Sequence, residues 1–249
     1  MSGQTLGRVA RAVLAGAMQR TISRIATLTL LLFVSTPRMD AQAPAMQGVG
    51  IDHLILGVDD LDRGMSEFAR RTGVTPIKGG VHPGKGTQNA LVSLGDMRYI
   101  EILAPSREPG IAPDQRTAFP TLTPVGWALH TRELAPVVAV LRRAGFTPSE
   151  IRPGARARPD GVRLTWQTAE VSGAGLEAAP FFIAWGATTP HPSTQSPAGC
   201  TLRSVSMTEP DPAPLTRFLT TVGVTAPVRG GAVRAMSVVL ACPSGEVRF

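Results

Sequence analysis

Three stretches of the chain carry apolar residues at the spacing of one helical face. Residues three or four positions apart lie on the same side of a helix. Each stretch is followed by a glycine, Gly73, Gly145 or Gly223, and glycine tolerates the left-handed conformation that ends many helices. The pattern therefore predicts three amphipathic helices, with apolar faces formed by Leu61, Met65, Phe68 and Ala69, by Leu134, Val137, Val138 and Leu141, and by Leu215, Phe218, Leu219 and Val222.

Segments of strand character flank each predicted helix. "HLILGV", "WALH" and "RSVSM" precede the three helices, and the hairpin pairs "NALVSLG"/"RYIEILAP", "DGVRLTWQT"/"PFFIAWG" and "AVRAMSVVLAC"/"EVRF" follow them. Short tags of related sequence, beginning at Gly73, Gly145 and Gly223, mark the same point in each unit and indicate duplication. We therefore expect an α+β fold in which repeated βαβββ modules form a curved mixed sheet, a cup or half-barrel, with the helices on the outside.

The first 43 residues have the features of an export signal. Four arginines precede the apolar run Ile25 to Ser35, which is too short for a bilayer span, and Ala41-Gln42-Ala43 matches a cleavage site. We expect cleavage after Ala43 and export to the periplasm or the extracellular space, with no stable membrane span afterwards. An uncleaved membrane anchor is the alternative, and Met18 is an alternative start.

Charge and cysteine content narrow the function classes. The 249 residues carry a formal charge of +7, but five Arg and only one Asp lie within residues 1–43. The remaining segment is close to balanced and lacks basic blocks, so we expect a small-molecule partner and no nucleic acid. Cys200 and Cys242 would meet an oxidising compartment, where either a disulfide or two free thiols is compatible with the sequence.

The order of five motifs resembles that of the vicinal oxygen chelate superfamily and, within it, the glyoxalase-like domain. These motifs are "DHLILGVDDLD", "GGVHPGKGTQNALVSLGD", "YIEILAP", "RPDGVRLTW" and "FFIAWG" followed by "HP". The resemblance implies a glyoxalase-like domain over residues 44–192, with modules at about 50–125 and 126–192. Residues 193–249 would form a third, truncated module packed on this domain.

Members of this superfamily typically bind a divalent metal on the concave face of the sheet. The resemblance implies ligands from the first strand and the last strand of each module, and His53 and Glu101 occupy these places in the first module. Strand alternation independently puts both side chains on the face opposite the helix. In the second module Gly126 stands at the position of His53, and the position of Glu101 falls near Phe182 or Ile183, so neither position carries a ligand.

His82 can complete the site if the loop at residues 79–86 folds over the cup. Two His and one Glu suit zinc or iron, and we also consider manganese. His53, His82 and Glu101 are therefore the candidate ligands, with Glu101 and His82 as catalytic candidates. Gln88 and Asn89 would offer amide groups to a carbonyl or carboxylate substrate.

Structural roles are the alternatives for several of these residues. His53 could simply bond its neighbour Asp52, and His82 could be a turn residue before Pro83. We expect structural or solvent roles for His191 and His130. Trp127 is a candidate for substrate binding, although a tryptophan in such a segment more often belongs to the core.

Two functions from different classes remain compatible with the sequence. One is an exported metal-dependent lyase, isomerase or dioxygenase that acts on a small substrate with a carbonyl or hydroxyl group. The other is a metal-free protein that binds or sequesters a small molecule in the same cup. Loss of the second-module ligands favours binding, whereas retention of His53 and Glu101 favours the enzyme. Whether the modules pair within one chain or in a homodimer is left open.

Overall fold

The computed structural model describes residue 46, residues 48–106 and residues 108–249. The signal peptide and cleavage site expected within residues 1–43 lie outside these residues. All the described residues fall in one compact unit. No helix in this part of the chain is long and apolar enough to cross a membrane.

The first βαβββ module begins with a strand that leads directly into an amphipathic helix. Its elements are β1 (Gly50–Gly57), α1 (Leu61–Thr72), β2 (Ile77–His82), β3 (Thr87–Gly95) and β4 (Arg98–Pro105). The Asp60 side chain accepts a hydrogen bond from the Arg63 backbone N–H and so caps the start of α1. Gly73, with φ of 77°, ends the helix in the left-handed conformation, as the sequence predicts.

The second module repeats this order and adds two short strands. Its elements are β5 (Thr123–His130), α2 (Leu134–Arg143), β6 (Thr147–Pro148), β7 (Arg152–Ala157), β8 (Arg163–Ala169), β9 (Val171–Ser172) and β10 (Phe181–Trp185). Gly145 follows α2 with φ of 81°. The helix start differs from that of α1, because the Glu133 side chain makes no capping hydrogen bond.

The two modules share one eight-stranded sheet in the order β2-β3-β4-β1-β5-β10-β8-β7. The first strands of the modules, β1 and β5, are antiparallel neighbours at its centre. The outer strands approach each other, since Arg156 of β7 donates a hydrogen bond to the Gly79 carbonyl of β2. The sheet is therefore nearly closed around its concave face, and the predicted α+β fold class is confirmed. Its outer strands differ from expectation: residues 79–82 lie in β2 instead of a loop.

The third unit forms a separate four-stranded sheet with one helix. Its elements are β11 (Thr201–Glu209), α3 (Ala213–Val222), β12 (Val228–Gly230), β13 (Ala235–Cys242) and β14 (Gly245–Arg248). Phe218 of α3 packs edge-on against Phe146 at the end of α2, with ring centroids 5.5 Å apart. Phe249 stacks on Phe68 of α1 at 5.6 Å. The unit therefore contacts both modules through their helices.

Candidate functional site

Strand alternation places three polar side chains on the concave face of the eight-stranded sheet. Leu54 of β1 and Ile100 of β4 lie in the core on the helix side, so their neighbours His53 and Glu101 point the other way. Asn89 of β3 shares their face. The exposed fractions of these residues are 3% for His53, 7% for Glu101 and 2% for Asn89, so the polar groups are enclosed by the fold.

The Glu101 carboxylate lies at the centre of a small polar group, which we call the Glu101 cluster: His53, His82, Asn89 and Glu101. The Nε2 atoms of His53 and His82 lie 3.6 Å from Glu101 Oε2 and Oε1 respectively. Asn89 Nδ2 donates a hydrogen bond of 2.6 Å to Oε1. His82 reaches the cluster from the end of β2, so the three residues expected to bind a metal converge from three strands.

A fully buried carboxylate, Asp52, fixes the orientation of His53. A bulge in β1 lies next to it, and Asp52 Oδ1 is 2.6 Å from His53 Nδ1. Its Oδ2 accepts from Trp185 Nε1 at 3.0 Å and lies 3.1 Å from His191 Nε2. The Ser193 N–H donates to His191 Nδ1, so His191 carries its proton on Nε2 and donates to Asp52. His53 must likewise donate through Nδ1, which leaves Nε2 facing Glu101.

The imidazole of His82 is oriented like that of His53, with Nε2 towards Glu101. His82 Nδ1 lies 2.9 Å from Thr87 Oγ1, and Asn89 Nδ2 lies 3.3 Å from His82 Nε2. An amide NH₂ group only donates, so His82 Nε2 accepts and Nδ1 carries the proton that reaches Thr87. Asn89 Oδ1 is buried without a hydrogen-bond partner among the described residues. Both imidazoles therefore direct Nε2 towards the carboxylate.

The environment sets the charge of these groups at neutral pH. Burial by itself would raise the pKa of Glu101, but attraction to His82 and His53 outweighs it and lowers this pKa. Burial lowers the pKa of His82. Burial would also raise the pKa of Asp52, but hydrogen bonds from His191 and His53 hold it well below the ordinary range. Both carboxylates are therefore ionised, and His82 is neutral at pH 7.

The cluster fits a metal ion by donor type. Ionised carboxylate and neutral imidazole are the ligand forms. A metal-binding histidine commonly donates its other ring N–H to a carboxylate, as His53 donates to Asp52 here. In the side-chain positions of the described residues, however, no three His, Cys, Asp or Glu form a ready metal-binding group. Ligands of one zinc ion lie roughly 3.0–3.5 Å apart, a little less than the observed 3.6 Å.

Two other residues expected at the substrate lie outside the cluster. The side chain of Gln88 lies on the opposite face of β3 from that of Asn89. Its Nε2 donates to the Pro105 carbonyl at 2.9 Å. Trp127 is 1% exposed and lies in the helix-side core. Its indole N–H donates to the Ala178 carbonyl at 3.0 Å. The alternation that places His53 and Glu101 on the concave face thus turns Gln88 and Trp127 away from it.

Sequence reasoning missed the residues that support His53. From the sequence, Asp52 is only a neighbour that His53 could bond, and nothing singles out Trp185. His191, for which a structural role was expected, is buried and hydrogen-bonded to Asp52. The one signal available was a carboxylate next to a histidine, since Trp185 and His191 lie more than 130 positions away. Cys200 and Cys242 are joined in a disulfide.

The second module carries no donors at the places equivalent to His53 and Glu101. Leu54 of β1 and Trp127 of β5 face each other across the centre of the sheet, which relates the modules by an offset of 73 positions. Gly126 is then the counterpart of His53. In the strand register Ile55 pairs with Glu101, and Ala128 pairs with Phe181. The counterpart of Glu101 is therefore Phe181, and the expected Phe182 or Ile183 is wrong by one or two residues.

Paired βαβββ units around a concave polar cluster are the architecture of vicinal oxygen chelate proteins. The chain belongs to the glyoxalase-like domain family, whose sequence profile matches residues 51–223. No curated protein sequence matches the chain.

Solved structures resemble this chain at low sequence identity. A hypothetical protein from Staphylococcus aureus is 16% identical, with a TM-score of 0.61 over 81% of this chain and 98% of that one. Methylmalonyl-CoA epimerase from Mycobacterium tuberculosis is 18% identical, with a TM-score of 0.38 over 55% of this chain and 86% of that one. A methylmalonyl-CoA epimerase in complex with methylmalonyl-CoA and NH4+ is 16% identical, with a TM-score of 0.41 over 56% and 96%. The first of these matches shows the fold alone.

Proposed function

We propose that this glyoxalase-like protein is a metal-dependent enzyme that acts on a small substrate with a carbonyl or hydroxyl group. One divalent ion, zinc, iron or manganese, would be held by His53, His82 and Glu101. The observation that carries the proposal is the common direction of the two imidazoles. Each presents Nε2 to the Glu101 carboxylate, while Nδ1 is held by Asp52 in one case and by Thr87 in the other.

The residues of the cluster have distinct tasks in this proposal. A divalent ion, when bound, polarises a carbonyl or lowers the pKa of a hydroxyl group. Asp52 keeps the His53 ring in one orientation and one tautomer. Asn89 orients Glu101 through the 2.6 Å hydrogen bond, and the burial of the cluster excludes bulk water. Lyase, isomerase and ring-cleaving dioxygenase chemistry are all compatible with this arrangement.

A metal-free binding protein is the second candidate. It is favoured by the second module, where Gly126 and Phe181 replace the donors, so that the four-ligand site of a paired module cannot form. In this case the Glu101 cluster would bind a hydroxyl or amide group of a ligand directly. Metal uptake distinguishes the two candidates.

The test is elemental analysis of the purified protein after incubation with zinc, iron or manganese and removal of free ions. We expect about one equivalent of metal in the wild type and less than a tenth of it in Glu101→Ala and His53→Ala. His130→Ala is the matched control, because His130 lies on the neighbouring strand β5 outside the cluster, and this variant should bind metal normally. A wild type that takes up none of the three metals overturns the enzyme and leaves the binding protein.

Export is a further part of the proposal. The cleavage site after Ala43 supports it, and so does the disulfide between Cys200 and Cys242, since such bonds persist in oxidising compartments. N-terminal sequencing of the protein from fractionated cells should find a chain that begins at Pro44. A chain retained in the cytoplasm with residues 1–43 intact would refute export.

A further inference from the structure

The sheet has an approximate two-fold symmetry that makes its two halves directly comparable. Leu54 faces Trp127 across β1 and β5, and Ile55 faces Gly126. The concave face therefore has two equivalent corners, one on each side of this strand pair. The first holds the Glu101 cluster, and the second holds Gly126 and Phe181.

The second corner is open space. A Cβ atom added at Gly126 would have one neighbour within 4 Å, the Ile55 Cδ1 atom at 3.7 Å, which is ordinary contact. The backbone of Gly126 is not in the left-handed region, so its conformation alone does not require glycine. The consequence of glycine at this position is therefore free space next to the backbone, and not a special backbone conformation.

That room is part of a cavity of about 820 Å³, within the usual size range of small-molecule sites. Ile55, Gly126 and Phe181 line it, and so do Trp127 of β5 and Met236 of the third unit. The Phe181 ring also contacts His53 edge-on, with centroids 5.5 Å apart. The cavity therefore borders the Glu101 cluster through Ile55 and Phe181 without including it.

The cationic side chains of the cavity wall are already neutralised. Arg116 is paired with Asp114 through several hydrogen bonds, and Arg234 is paired with Glu209 and Glu177. Another lining residue, Glu170, carries a carboxylate with no salt bridge among the described residues. The wall therefore offers no free positive charge to an anion, and the surfaces next to the cluster are apolar.

From this geometry we infer that the second corner binds the apolar part of a neutral substrate, an alkyl or aryl group attached to the carbonyl or hydroxyl group that meets the Glu101 cluster. The inference deepens the proposed function and rests on it for the position of the reacting group. Replacement of the second-module donors by Gly126 and Phe181 thus converts one half of a symmetric site into a specificity pocket. The third unit completes this pocket.

Straight-chain alcohols from 1-butanol to 1-octanol test the inference on metal-stripped protein by titration calorimetry. Burial of each added methylene group should raise the affinity about fourfold. Gly126→Leu fills the corner and should weaken 1-octanol binding at least tenfold. Met236→Trp fills the cavity from the third unit and should also weaken 1-octanol binding. This second variant keeps the test valid if Gly126→Leu does not fold.

Gly230→Leu is the matched control, because Gly230 is exposed on β12 with no atom near its Cβ position, and 1-octanol should bind this variant as it binds the wild type. Affinity independent of chain length, or unaffected by both filling variants, overturns the inference. The metal-uptake test is separate: protein that binds no metal but retains the chain-length dependence refutes only the metal-dependent enzyme. Metal uptake without chain-length dependence refutes only the apolar pocket.

Discussion

Replacement of Asp52 by asparagine is the sharpest test of how this site is held together. Asp52 is fully buried and accepts from three donors: His53 Nδ1, His191 Nε2 and Trp185 Nε1. Asparagine has nearly the same shape but only one acceptor oxygen. Its NH₂ group must face at least one of the three N–H groups, so a buried donor loses its partner.

The expected loss of stability follows from the number of buried donors that lose their acceptor. A buried donor left without a partner costs about 1–3 kcal/mol, and the hydrogen bonds that remain lose the assistance of the negative charge. We expect Asp52→Asn to lower the free energy of unfolding by about 3 kcal/mol at pH 7. It should also weaken metal binding by about 10–100-fold, because His53 is no longer held in the tautomer that leaves Nε2 free.

The effect must depend on pH in one direction. The native pKa of Asp52 lies well below the unfolded value of about 4, so the native state holds this group ionised more strongly than the unfolded chain does. The stabilisation is therefore fully present above about pH 4 and is lost as the pH falls towards the native pKa. The difference between wild type and Asp52→Asn should shrink over this acidic range.

Urea unfolding of the metal-free proteins between pH 3 and pH 8 measures the difference in the free energy of unfolding and its dependence on pH. Asp62→Asn is the control, since Asp62 is a largely exposed carboxylate paired with Lys78, and it should change stability by less than about 1 kcal/mol. If Asp52→Asn unfolds at the wild-type urea concentration and binds metal with wild-type affinity, Asp52 does not orient His53, and the hydrogen-bond assignment is wrong.

Three further outcomes follow from the described contacts. The disulfide between Cys200 and Cys242 has a sequence separation of 42, so the double serine variant should lose about 4 kcal/mol of stability, measured by urea unfolding against the disulfide-bonded wild type. Trp127→Phe leaves the Ala178 carbonyl without its donor and should cost about 1–3 kcal/mol while metal content stays unchanged; loss of metal would contradict the core role of this ring. The pKa of His82 is lowered by burial, so the unfolded chain takes up this proton at a higher pH than the native chain. The free energy of unfolding of the metal-free protein should therefore decrease as the pH is lowered from about 6.5. His82→Gln should make the free energy of unfolding depend less on pH in this range.

The fold follows from the sequence because its signals are local and repeated. Apolar residues at helical spacing before Gly73, Gly145 and Gly223 define the three helices, and all three glycines adopt positive φ. The outer strands β2 and β7 lack such a signal. Residues 77–82, "IKGGVH", contain two glycines and few apolar residues, and they form a strand because β3 pairs with them along one edge. On their other side Arg156 of β7 donates a side-chain hydrogen bond to the Gly79 carbonyl.

The candidate site could be read from the sequence only in part. Period-two alternation was sufficient to place His53 and Glu101 on one face, since each lies in an apolar strand. The same rule, applied to β3, separates Asn89 from Gln88 and places only Asn89 on the face of His53 and Glu101. The contacts of Asp52 with Trp185 and His191 span more than 130 positions and depend on the pairing of β5 with β10, so no local pattern could have indicated them.

The two modules therefore contribute different things to one site. The first supplies every proposed ligand. Asp52, which orients His53, is itself held by Trp185 and His191, and these two residues belong to the second module. The second carries no donors at the equivalent positions, and the space at Gly126 is part of a cavity beside the cluster. This division of roles suits the proposed enzyme, because a metal needs only one complete donor set, whereas a substrate also needs a surface that recognises its non-reacting part.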